Sequence, residues 1–264
     1  LNRLSEKYAQ INREKSLDYA RRALTVAEQA GFSRGKAESC RNMGLAYYLT
    51  DDYDRALPHF IKALSLAGAL PDSQPVMVLC SDIGIIFYNR GDYARALNFY
   101  SRAYGIAMTR LGRDSMPQDR RALVTLCNNT GVVYMKNADF REACRYHEQA
   151  LKEAETLGDD RLLASSLVYT GLAYSGRRKY SRALTFFLDA QRLLEKTEDK
   201  VGLSNVYRYV GETYEHLGRF PDAIRFQNQA IALAREAGYK SGIKDAYSGL
   251  SSAYKEQKSY EQAM

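Results

Sequence analysis

Six times along this chain a small residue and an aromatic lie three positions apart, and an alanine follows twelve residues after the small one. The triplets are Gly44/Tyr47/Ala56, Gly84/Phe87/Ala96, Gly131/Tyr134/Ala143, Gly171/Tyr174/Ala183, Gly211/Tyr214/Ala223 and Ser251/Tyr254/Ala263. The small residues are spaced 40, 47, 40, 40 and 40 apart, so one structural unit is reused along the chain. Because each unit of such an array packs only on its neighbours, the 264 residues are counted in repeats and not in ordinary domains.

Hydrophobic residues at 45% and charged residues at 26% belong to a folded chain and exclude intrinsic disorder. No apolar run reaches the length of a spanning helix and no signal peptide is visible, which predicts no membrane segment. Cys40, Cys80 and Cys127 each lie four residues before the repeat's glycine, a slot held elsewhere by Leu167, Tyr207 and Tyr247. With Cys144 they are too few and too scattered for a disulfide scaffold or a zinc motif, which makes them core residues of a reduced, cytoplasmic protein.

If Gly44 is position 8 of its unit, positions 4, 7, 8 and 11 (Cys40, Met43, Gly44, Tyr47) fall on one stripe of a first helix. A second stripe (Tyr53, Ala56, Leu57, Phe60, Ala63, Leu64) predicts a second helix. Five glycines at one register imply a packing need that outweighs the cost of about 1 kcal/mol of glycine in a helix. The expected packing has Gly at 8 and Ala at 20 bringing two backbones together, with the aromatic at 11 filling the space beside them. Between the helices, Gly91 and Gly218 suit helix C-caps, and Asp52, Asp92 and Asp139 suit the following N-caps. Pro58 is expected to bend its helix. The seven extra residues before the third unit, around 111–119 with Pro117, read as a longer loop.

These positions resemble the tetratricopeptide repeat, with a large residue at 4, Gly at 8, Tyr at 11, Ala at 20, an aromatic at 24 and Ala at 27. The resemblance implies an all-α, right-handed superhelical solenoid of stacked helix-turn-helix repeats over 1–264. It comprises a partial unit over 1–36, repeats starting near 37, 77, 124, 164, 204 and 244, and a truncated last repeat. The 40-residue period is similar to kinesin light chain, Pins/LGN, Rap-type peptide receptors and the sensory regions of bacterial signalling proteins.

No catalytic constellation is present. His59, His147 and His216 fall in three different units, and no phosphate loop, zincin or nucleophile-elbow motif occurs, so neither an enzyme nor a metal or cofactor site is expected. Function is expected on the side of the first helices opposite the core, at positions 2, 5, 6, 9, 12 and 13, which the resemblance places on a concave groove. The candidate binding residues there are Arg41, Asn42, Leu45 and Tyr48, then Asp82, Ile85, Tyr88 and Asn89. Asn128, Asn129, Met135, Tyr169, Arg208, Tyr209 and Glu212 complete the set. Amides suit an extended peptide's backbone and apolar groups its side chains.

Charge separates the partners. The chain carries +7, yet the stripe holds Arg41, Lys136, Arg208 and Lys255 against Glu38, Asp82, Glu212, Glu215, Asp245 and Glu256. The basic excess lies elsewhere, at Arg110, Arg113, Arg120 and Arg121 and at Arg177, Arg178, Lys179 and Arg182. An acidic groove disfavours nucleic acid and an RNA-binding repeat. The reading is a non-catalytic scaffold binding a protein or peptide segment, either the sensory region of a larger bacterial regulator or a Rap-like peptide-sensing regulator. Apolar residues near the ends (Ala20, Leu24, Tyr254, Tyr260) predict homo-oligomerisation through terminal repeats.

Overall fold

The computed structural model describes residues 1–114 and 116–263, and their side chains except those of Asp114 and residues 259–263. Ser115 of the expected loop, and the side chains of Tyr260 and Ala263, lie outside the described residues. Thirteen helices and no strand occur among the described residues. They are α1 (Asn2–Ala9), α2 (Arg13–Gln29), α3 (Ser33–Tyr48), α4 (Tyr53–Ala67), α5 (Gln74–Asn89), α6 (Tyr93–Asp114) and α7 (Pro117–Lys136). There follow α8 (Phe140–Leu157), α9 (Asp160–Gly176), α10 (Tyr180–Lys196), α11 (Lys200–His216), α12 (Phe220–Glu236) and α13 (Lys240–Ala263). The chain divides into two compact units, Leu1–Asn129 and Thr130–Met264, with the division inside α7.

The glycine of each repeat is explained by the side chain at position 24, not by the aromatic at 11. In the first unit a Cβ on Gly44 would sit 2.9 Å from the Phe60 ring, and one on Gly84 2.5 Å from the Tyr100 ring. In the second, Gly131 faces His147 and Gly171 faces Phe187 at 2.5 Å, and Gly211 faces Gln227 at 2.9 Å. Burying each large ring against a bare backbone is worth about 1.5–3 kcal/mol, more than the propensity lost by glycine. The alanines at 20 and 27, Ala56 and Ala63 through Ala223 and Ala230, are fully enclosed.

The aromatic at 11 stacks instead on the residue at 23. Tyr47 lies on His59, Phe87 on Phe99, Tyr134 on Tyr146, Tyr174 on Phe186 and Tyr214 on Phe226, with centroids 5.4–5.6 Å apart. An arginine covers most of these stacks, as Arg95 does over Phe87 at 4.5 Å and Arg182 over Tyr174 at 4.3 Å. All four cysteines are buried and unbridged.

The turn between the two helices of a repeat passes through one left-handed residue: Asp51, Gly91, Ala138, Arg178 or Gly218. Asp52, Asp92 and Asp139 then cap the next helix by accepting from the N–H three residues on, at 3.0–3.2 Å.

Two expectations change. The region 111–119 is mostly helix and not a loop: α6 extends to Asp114, and Pro117 starts α7, where its missing N–H costs nothing. Arg110 ties these ends together through the buried Asp119 and through Asp72, both at 2.7 Å. α4 continues through the exposed Pro58. Finally, residues 1–36 hold a repeat whose turn is one residue shorter. Ser5 and Ser16 take the places of Gly and Ala, each hydroxyl donating to the other's carbonyl at 2.8 Å, while Tyr8 stacks on Tyr19 at 5.6 Å. Ala20, expected at an open end, is therefore fully buried.

Candidate functional site

In the first unit, neighbouring first helices are joined by a rung from position 5 of one repeat to position 6 of the next. Asn42 is buried and donates its Nδ2 to the Asn2 carbonyl at 3.1 Å. Arg41 Nε donates to Asp82 at 2.7 Å, with about a quarter of each side chain exposed. Burial raises the Asp82 carboxyl against the pull of Arg41. Burial opposes the charge on Arg41, but Asp82 outweighs it and the guanidinium is held more firmly protonated. Leu45 and Ile85 are half-buried, and Tyr48 and Tyr88 lean on Tyr53 and Tyr93 at 5.9 Å. Asn89 is exposed, Asn129 half-buried and Asn128 buried.

The first-unit amides are thus less open than their spacing implies, because Asn42 is occupied by α1 and Asn128 is enclosed. A cavity of about 340 Å³ does open between α1, α3 and α5, lined by Asn2, Arg3, Glu6, Glu38, Arg41 and Val78, among others. The α1 residues were missed by the twelve-residue rule, since the short turn places Ser16 only eleven after Ser5. The surviving signal is Ser5 and Tyr8, a small residue and an aromatic three apart.

In the second unit, position 6 packs on position 24 of the preceding repeat. Tyr169 stacks on His147 at 5.4 Å and Tyr209 on Phe187 at 5.5 Å. Both tyrosines remain half-buried, and both border a cleft of about 620 Å³ between α9 and α11. Ser165, Val168 and Leu172 from α9 and Asn205 and Val206 from α11 are among its other lining residues, with the charged Arg161, Glu198 and Asp199. Met135 packs against the second unit's core. Arg208 lies over the Tyr209 ring at 4.2 Å and pairs with Glu212 at 2.5 Å, while its own Nε is buried without a partner. Burial works against the Arg208 charge, but Glu212 outweighs it. Arg208 and Glu212 also border a cavity of about 400 Å³ between α11 and α13, with Glu215, Asp245 and Ser252.

His147 is buried, His59 half-buried and His216 exposed. Burial holds His147 down to about 4 and lowers His59, and His216 stacks on Tyr180 at 4.6 Å. No group of three or more His, Cys, Asp or Glu able to hold a metal occurs among the described residues. No helix among them is long and apolar enough to cross a membrane. The basic run Arg177, Arg178 and Lys179 is exposed at the α9–α10 turn and lines a separate concavity of about 500 Å³.

Among solved structures, the chain is similar to BtubC (BKLC) from P. vanneervenii, with TM-score 0.74 and 18% identity over 86% of this chain and 93% of that one. A signal-transduction ATPase with a tetratricopeptide-repeat sensor, from Pyrococcus horikoshii, aligns with TM-score 0.75 and 16% identity over 93% of this chain and 38% of its own. A Rap protein complexed with competence and sporulation factor aligns with TM-score 0.60 and 20% identity over 88% and 62%. The chain thus spans less than two thirds of the last two, and at these identities the likeness is one of fold. No curated protein matches. The tetratricopeptide-repeat family matches residues 37–109, 121–196 and 202–264, and with the glycine, aromatic and alanine of each repeat packed as described, the chain belongs to that family.

Proposed function

We propose that this protein is a non-catalytic scaffold that binds a protein or peptide segment along its first helices. The observation that carries this reading is the α9–α11 cleft. Its walls are positions 2, 5, 6 and 9 of one repeat (Ser165, Val168, Tyr169, Leu172) and positions 2 and 6 of the next (Asn205, Tyr209). A cleft with apolar and aromatic walls and a few amides and hydroxyls suits a peptide whose backbone is hydrogen-bonded and whose side chain is buried. In the first unit the α1–α3–α5 cavity offers a comparable recess with more charge.

The role within a cell follows from the same reading: the sensory or interaction region of a larger bacterial signalling or regulatory protein, in a reducing cytoplasm that suits four buried, unbridged thiols. The sensor-bearing ATPase supports it. A Rap-like regulator responding to a small factor is the second reading, supported by the fold likeness to a Rap protein bound to such a factor. RNA is disfavoured, because the exposed basic run lines a different surface from the cleft.

Panning a random linear-peptide library against the protein tests this. Selected peptides should lose roughly 1–3 kcal/mol of affinity on Asn205→Ala or Tyr209→Ala. They should bind equally well when Arg177, Arg178 and Lys179 are neutralised, since exposed charges there are screened. Binding that falls steeply with salt and ignores Asn205 would refute the reading and point to an electrostatic partner.

A further inference from the structure

Four of the turns that lead from the second helix of one repeat to the next first helix also pass through one left-handed residue. At this register stand Gly31, Gly158 and Gly238, with φ of 63°, 65° and 65°. The same place in the α10–α11 turn is held by Glu198, with φ 53°. A side chain with a Cβ is strained in this conformation, and glycine relieves it. Glu198 is also a lining residue of the α9–α11 cleft. Asp51, Ala138 and Arg178 show that other turns of this protein also hold non-glycine residues in this conformation, so it is the place of Glu198 on the cleft, together with its backbone, that points to a function.

Two acids and one base are among the residues that line the cleft. Arg161 stands on the α9 side, and Glu198 and Asp199 on the α11 side. The Asp199 carboxylate is engaged, accepting from the Gly202 N–H at 2.9 Å to cap α11. Lys196 and Lys200, which flank the turn, are paired with Asp160 and Glu236. Glu198 is exposed, and its carboxylate makes no hydrogen bond or ion pair with the described residues. The same cleft is lined by Val168, Leu172 and Val206 and by Tyr169 and Tyr209. An aliphatic stem lying along the apolar walls can turn its cationic end outward to the exposed Glu198 carboxylate.

We propose that Glu198 is the selectivity residue of this cleft, and that the cleft takes a lysine or arginine side chain of the bound segment. The proposal rests on the peptide-binding reading above and adds the chemistry of the residue recognised. The backbone at residue 198 places a carboxylate where three other turns of this register carry glycine.

The test uses four small probes: the Nα-acetyl amides of lysine, arginine, norleucine and glutamate, titrated against the labelled protein by amide NMR. The lysine or arginine probe should shift the Asn205, Tyr209 and Gly202 signals and bind about two- to five-fold more tightly than norleucine, the range of a partly exposed ion pair. The glutamate probe should bind most weakly. Glu198→Gln should reduce the cationic probes to the affinity of norleucine and leave norleucine unchanged. Glu198→Gly should do the same while raising Tm by roughly 2–4 °C, because it removes the strained conformation. That combination, a more stable protein with a blunted cleft, is not produced by a purely structural role. Norleucine binding as tightly as lysine, or cationic probes indifferent to both variants, would overturn the assignment of Glu198 but leave a peptide-binding cleft. Failure of all four probes to shift the cleft signals would overturn both.

Discussion

Single atoms decide the core of each repeat. A methyl group added to Gly171 would stand 2.5 Å from the Phe187 ring, whereas one added to Gly105 in α6 meets nothing within 4 Å. Gly171→Ala is therefore expected to destabilise by about 1–3 kcal/mol through overpacking, and Gly105→Ala to stabilise by up to about 1 kcal/mol through helix propensity. Opposite shifts of the denaturant midpoint would show that the position-24 ring, and not the helical backbone alone, demands the glycine. His147 fills that ring position in the third full repeat and is held down to about 4 by burial. In the folded state it stays neutral, while in the unfolded chain it protonates near 6.5, so its contribution is fully present above pH 6.5 and is lost as pH falls towards and through about 4. The loss amounts to about 3 kcal/mol. Denaturant melts at pH 7 and pH 4.5 should show the wild type losing more stability than His147→Phe, which carries the ring that Phe60 and Phe187 supply at the same register.

At the scale of the helix, the capping pattern contains its own control. Asp139 accepts from the Glu142 N–H and caps α8, but Lys179 stands at the same place before α10, makes no cap bond, and is followed by no acid in the first turn. Arg177, Arg178 and Arg182 surround that end of α10. Lys179→Asp is expected to stabilise by about 1 kcal/mol, combining a cap with a favourable charge at the helix N-terminus, and Asp139→Ala to cost a similar amount. Calorimetry of the two variants checks both signs. The elements themselves were legible in the sequence, because the 3.6-residue stripe and the acids Asp52, Asp92 and Asp139 before three of the second helices are local signals. The 111–119 region was misread because Pro117 has the same local appearance as a break and as a first helical residue. Residues 1–36 hid a repeat because one deletion in a turn shifts the spacing without changing the packing.

Across the whole molecule, four buried thiols report on opening. Cys40, Cys80 and Cys127 belong to the first compact unit and Cys144 to the second. Burial raises the thiols of Cys40, Cys80 and Cys144, which further slows native reaction. All four are expected to label slowly in the native protein and fast in denaturant, and peptide mapping of partly labelled samples tells which unit opens first. Rapid native labelling at Cys40, Cys80 and Cys127 together would contradict the packing register. The period, the helix pairs, the family and the buried face were all readable from the amino-acid order, because they depend on spacing along one chain. Which residues of the opposite face remain available was not. Asn42 and Asn128 look like groove amides by spacing, yet one is consumed by the Asn2 carbonyl and the other is enclosed. Tyr169 and Tyr209 share one register position, and whether they reach outward or pack on His147 and Phe187 depends on the neighbouring repeat. In the sequence Glu198 is marked only by standing where the 40-residue period puts Gly158 and Gly238; its left-handed backbone and its place on the cleft come from the tertiary structure. Periodicity determines which side of a helix is buried. How closely adjacent helices approach, and therefore where a cleft is left, is set by side chains that meet only after the repeats have stacked.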